Sequence, residues 1–128
     1  MIDICLVRAR QFLHFDHDGT FDLNGNRDVL AEMLRDAQQE DRNLLLDVRD
    51  SDVELSMRDV WALVQHLHAC APEFDQKMAI LDRWDETYDR MQFFEASAGE
   101  LGFQARAFIN FENAMNWLWE KKPVPISQ

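Results

Sequence analysis

Two aspartates spaced two apart, with Gly-Thr directly after them, form the most chemically suggestive stretch of this chain: Phe15-Asp16-His17-Asp18-Gly19-Thr20-Phe21. On one loop such a pair can supply a nucleophilic carboxylate, a second carboxylate that moves a proton, and oxygen ligands for magnesium. With His14 and His17 beside them, Asp16 and Asp18 also read as a cluster for a divalent ion, although no distal ligand is marked. A second charged set follows two apolar runs: Asp47, Arg49 and Asp50 after the first, and Asp82, Arg83, Trp84 and Asp85 after the second. Arginines there could hold an anionic ligand or pair internally, Arg49 with Asp50 or Asp82 for example. Trp84, set between charges, suits a pocket wall or an interface.

The phrase Asp-x-Asp-Gly-Thr resembles the first motif of haloacid-dehalogenase-type phosphotransferases. That chemistry also needs a strong strand before the first aspartate, a Ser or Thr after the next strand, a lysine and a distal acidic pair. Lys77 and Asp82, Asp85 and Asp89 are available as the last two. The preceding run, Phe12-Leu13-His14-Phe15, is weak, and Asp47 stands where the Ser or Thr should be. Asp-Gly is also ordinary turn chemistry, so residues 16–25 are expected to be a connection. An enzyme is not expected, and Asp16 and Asp18 are kept only as the residues on which a magnesium phosphatase would rest.

The elements that would position these groups alternate. Apolar runs at 4–7 and 12–15 read as strands, and a helix follows with Asn26 as its N-cap and Val29, Leu30, Met33, Leu34 and Ala37 as its stripe. Residues 43–48 read as a buried parallel strand, followed by a polar loop at 49–55. Ser56 and Asp59 then form a capping box for a helix that runs to about Cys70, and Pro72 stops it. His66 and His68 are two apart on that helix, so they cannot share a metal ion. A strand at 77–82, a helix ending at Gly102, a strand at 103–109 and a helix capped by Asn110 complete the order. The pattern β-β-α-β-α-β-α-β-α implies an α/β domain over residues 1–120, with a mixed, mostly parallel sheet covered by helices, and a loose tail at 121–128. In such sheets ligands gather at the C-terminal ends of the strands.

The totals restrict the partners. The 128 residues suffice for one domain with its own core, and 47% of them are hydrophobic. Thirteen Lys and Arg against 24 Asp and Glu leave a net charge of −11, which opposes nucleic acid and anionic membrane surfaces. Cys5 and Cys70 have no metal-ligand spacing, and no apolar run reaches the length of a membrane span. The opening residues do not read as a signal peptide, so a cytoplasmic setting is expected, with no cofactor and no metal.

The segments Asn43-Leu44-Leu45-Leu46-Asp47-Val48-Arg49-Asp50 and 78–119 resemble the SpoIIAA-like family of STAS-type domains, related in fold to SEC14 lipid-binding domains. The resemblance rests on Ala98, Gly102-Phe103, Arg106-Ala107-Phe108, Phe111, Ala114 and Trp117-Leu118. It implies a non-enzymatic regulatory module that binds a protein partner or a second copy of itself. Through SEC14 it implies, alternatively, a carrier of a small apolar molecule or lipid. It also places Ser56 where related switch proteins are phosphorylated, although the flanking hydroxyl and glycine of those switches are missing here. Arg49, Asp50, Asp82, Arg83 and Trp84 are then the expected ligand or partner edge.

Overall fold

The computed structural model describes residues 12–85 and 88–120. The strand expected at 4–7, Cys5 and the tail at 121–128 lie outside them. Four strands and four helices alternate: β1 (Phe12–Asp22), α1 (Leu23–Glu40), β2 (Asn43–Glu54), α2 (Met57–Cys70), β3 (Lys77–Leu81), α3 (Tyr88–Glu100), β4 (Gln104–Phe108) and α4 (Phe111–Trp119). The sheet order is β1-β2-β3-β4, and every described pairing is parallel, in keeping with the mostly parallel sheet expected. Strands that step in one direction through right-handed crossovers place their connecting helices on one face. One core accordingly joins the sheet to α1, α2 and α3 through Leu30, Leu34, Leu46, Val60, Leu63, Val64, Ile80 and Phe94. The last helix makes no crossover, and a smaller cluster of Phe12, Leu45, Ala79, Leu81, Phe108, Ala114, Met115 and Leu118 seats α4 on the opposite face. β3 is buried along its whole length, as an interior parallel strand must be.

Three local expectations are corrected. Residues 16–22 are strand, not turn, because their backbone pairs with β2 as far as Asp22 opposite Glu54. Gly19 sits within that strand at φ 80°, a conformation that strains any residue with a Cβ. Residues 49–54 are likewise strand and not loop, since β1 supplies their hydrogen bonds. The first helix starts four residues earlier than an Asn26 cap implies, and Asp22 is its N-cap. The Asp22 carboxylate accepts from the Gly25 amide at 2.7 Å, while Asn26 is buried and accepts from the Asp22 amide at 2.9 Å.

Other boundaries follow the sequence reading. Ser56 Oγ accepts from the Asp59 amide at 3.1 Å, and the Asp59 carboxylate accepts from the Ser56 amide at 3.0 Å, which closes the capping box. Gly102 ends its helix at φ 88°, and Asn110 caps α4 by accepting from the Asn113 amide. Lys77, at the N-terminal end of β3, is buried. Its ammonium donates to the Trp117 and Glu120 carbonyls at 2.8 and 2.7 Å, so it closes the C-terminal end of α4. No helix among the described residues is long and apolar enough to cross a membrane.

Candidate functional site

The C-terminal ends of the strands bring the two charged sets into one neighbourhood. Side chains alternate between sheet faces, so Phe12, His14 and Asp16 share a face with Leu45 and Asp47, the face that carries α4. Asp16 lies directly opposite Asp47 in the register. His17 points the other way, toward Phe21, which its ring meets edge-on at 5.0 Å.

A bulge shapes this region. Between Asp16 and Asp18 the register slips, so that Val48 and Arg49 together oppose His17. Arg49, two residues on from Asp47, shares its face of β2 and reaches it along the strand. Its amide and Nε donate to Asp47 Oδ1, both at 3.0 Å, and its terminal Nη2 donates to Oδ2 at 2.8 Å. Burial pushes the Asp47 carboxyl up, but the bonds and charge of Arg49, with His14 nearby, more than offset this and hold it below the usual range. Asp47 holds the Arg49 guanidinium above its usual value in return. Arg49 therefore pairs with Asp47, not with Asp50 or Asp82.

Beyond Asp47, β3 has ended while β2 continues to Glu54, which leaves carbonyls along its edge. Arg83 covers them. Its Nη1 donates to the Arg49 carbonyl at 2.8 Å and its Nη2 to the Ser51 carbonyl at 3.3 Å, while Nε donates to Asp85 at 2.7 Å. The bond to Asp85 raises the Arg83 pKa. Both arginines are thus engaged within the chain. Asp82 is 1% exposed, and its Oδ1 accepts from the Arg83 amide at 2.8 Å. Its Oδ2 is buried without a hydrogen-bond partner among the described residues. Burial raises its pKa. Trp84 is 77% exposed and leans on Tyr88, with ring centroids 5.6 Å apart.

Sequence reasoning missed the polar lock on the inner side of β1. Asn26 Nδ2 lies 3.0 Å from His17 Nε2, His17 Nδ1 lies 2.7 Å from Ser51 Oγ, and Ser51 Oγ donates to the His17 carbonyl at 2.8 Å. The roles close consistently when Asn26 donates to Nε2 and the protonated Nδ1 donates to the hydroxyl. His17 is therefore spent on joining β1, β2 and α1, and it does not face His14. The phosphotransferase set is not assembled either: Asp16 and Asp18 lie within a paired strand, and Lys77 lies at the far end of β3. With Asp47 level with Leu81, four residues of strand, roughly 13 Å, separate Lys77 from the aspartates. His66 and His68 face apart, His66 toward Asp28 and Cys70, His68 against Phe103.

Ile109 and Phe111 follow the end of β4, level with Asp47 and Leu81, whereas Ser56 and Met57 follow the end of β2, which runs on to Glu54. Met57, Ile109 and Phe111 are all exposed.

No family model matches the sequence, and no curated protein shows significant similarity to it. A solved structure is similar: an uncharacterised protein of the DUF3478 family with a SpoIIAA-like fold, from Shewanella loihica PV-4. The two are 16% identical over 84% of this chain and 83% of that one, with a TM-score of 0.54. The shared architecture agrees with the four parallel strands and covering helices described above. The chain has a SpoIIAA-like α/β fold.

Proposed function

We propose that this domain is a non-enzymatic interaction module that docks a protein partner on the C-terminal edge of its sheet, with Trp84 as the anchor. The observation that carries this reading is the exposure of Trp84 on a loop braced by Arg83, Asp85 and Tyr88. A large aromatic held outward on a fixed backbone has the character of an interface hot spot. Ile109, exposed directly after Phe108 at the level of Asp82, adds apolar surface at the end of β4. Asp50 and Asp52 lie exposed on the stretch of β2 that Arg83 spans, which suits a basic rim on the partner, and a net charge of −11 disfavours a second copy of the chain. An anionic ligand would have to displace the carboxylates and carbonyls that Arg49 and Arg83 already hold. Ser56 is exposed at the start of α2, where a phosphate would add repulsion beside Asp59 and serve as a release signal.

The test is quantitative affinity isolation from the source cells with wild type and Trp84→Ala, at about 0.15 M and about 1 M salt. A protein retained by wild type, lost from Trp84→Ala and weakened at high salt supports the reading. Identical recovery on both forms would end it.

A further inference from the structure

We propose that His14, Asp16 and Asp47 form an open binding site for a divalent first-row transition ion, a site that Arg49 holds at low affinity. The inference stands apart from the docking reading, because its groups lie on the outer face of β1 and β2 and do not include Trp84.

The parallel register places the three groups together. His14 and Asp16 are successive residues on one face of β1, and Asp47 is the cross-strand neighbour of Asp16. One ligand atom from each lies within 4.8 Å of the other two. His14 Nε2 and Asp16 Oδ1 are 2.7 Å apart. Two ligands at right angles on one ion, with bonds of about 2.1 Å, stand roughly 3 Å apart. An ion can therefore take the place between the imidazole and the carboxylate, with His14 ligating through Nε2 and carrying its proton on Nδ1. One imidazole with two carboxylates suits zinc, manganese or iron(II) better than magnesium, which favours oxygen ligands and retained water. Three protein ligands leave coordination positions open.

The surroundings favour a cation. A cleft of about 350 Å³ is lined by His14, Asp16, His17, Asp18, Asp47, Arg49 and Asp50, so four carboxylates face one guanidinium. Asp47 is buried, and its position is fixed by the sheet and by Arg49, so that ligand is preorganised. Arg49 is also the obstacle. It occupies part of the Asp47 carboxylate and places a positive charge beside the ion. Asp47 Oδ2 keeps room for a second contact, since among the described residues its short donor is Arg49 Nη2 at 2.8 Å, with Nε at 3.2 Å. Removing the guanidinium should strengthen metal binding, whereas removing a ligand should weaken it.

That opposition of signs gives the test. Calorimetric titration with Zn²⁺, Mn²⁺ and Mg²⁺ is made on wild type, His14→Ala, Asp16→Asn, Arg49→Gln and His66→Ala, each checked for folding by circular dichroism. His66→Ala controls for the His66–Cys70 pair, whose nitrogen and sulfur lie 3.6 Å apart. The expected result is one Zn²⁺ or Mn²⁺ site with weak or no Mg²⁺ binding. Losing an outer-shell group already costs about 10–100-fold in metal affinity, so losing the His14 or Asp16 ligand should cost at least tenfold. Arg49→Gln should bind several-fold tighter, and His66→Ala should bind as wild type does. Zn²⁺ binding unchanged in both His14→Ala and Asp16→Asn, abolished in His66→Ala, or weakened in Arg49→Gln would overturn the proposal. So would the absence of heat with Zn²⁺ and Mn²⁺ in wild type.

Discussion

Asp82 and Asp47 show how differently two carboxyls can be treated at one sheet edge. Asp47 is matched by a forked guanidinium, which more than offsets its burial. Asp82 receives one backbone amide, keeps a buried oxygen without a partner among the described residues, and has its pKa raised by burial. A folded-state pKa above the unfolded value means that the native state holds the proton more tightly. The resulting contribution to stability is fully present below the ordinary carboxyl value of 3.8 and is lost as pH rises through the raised value. At neutral pH the carboxylate therefore opposes folding. Asp82→Asn should raise the melting temperature at pH 7, and its advantage should vanish below about pH 4. Thermal melts of both forms across that range decide it, and a loss of stability at pH 7 would show that the charge is held by a favourable contact. The acidic and basic residues at the edge were legible in the sequence, but their pairing was not. Arg49 shares a face of β2 with Asp47, two residues away, but a list of charges does not say which of several nearby carboxylates a guanidinium takes.

At the scale of elements, the sequence carries its helices more completely than its strands. The capping box of α2, Gly102 and the Asn110 cap could all be read directly, because each is a local hydrogen bond made by a residue type suited to it. The extensions of β1 and β2 could not be read the same way, since residues 18–22 and 50–54 are strand only by virtue of each other. A trace of the bulge does stand in the sequence. Leu44, Leu46 and Val48 alternate on even positions, and Ser51, Val53 and Leu55 resume burial on odd ones. Such a change of parity marks an extra residue in a strand. The local devices are also the ones whose energies can be anticipated. Ser56→Ala removes an acceptor from the start of α2 and should cost about 1 kcal/mol. In a domain of this size that lowers the melting temperature by about 3–6 °C. Differential scanning calorimetry measures it, and an unchanged transition would mean that water replaces the cap at no cost.

The whole molecule carries 24 acidic against 13 basic side chains, and this imbalance should govern how it responds to salt. The ion pairs among the described residues are few and in part exposed, such as Arg83 with Asp85 and Arg90 with Asp89. Pairs of that kind contribute little and lose what they contribute as salt rises. Repulsion among the surplus carboxylates acts over longer distances, and a Debye length of about 10 Å at 0.1 M removes much of it. The second effect should win, so the melting temperature should rise between about 0.01 M and 0.15 M sodium chloride. A chelator in the buffer keeps divalent ions away from the acidic cleft at His14, Asp16 and Asp47, so that the melt reports monovalent screening alone. A falling melting temperature would mean that specific pairs outweigh the net field. The same field attracts a basic partner to the edge around Trp84, and screening must weaken that attraction. Salt should therefore strengthen the fold and loosen the complex at once, two opposite responses with one electrostatic cause.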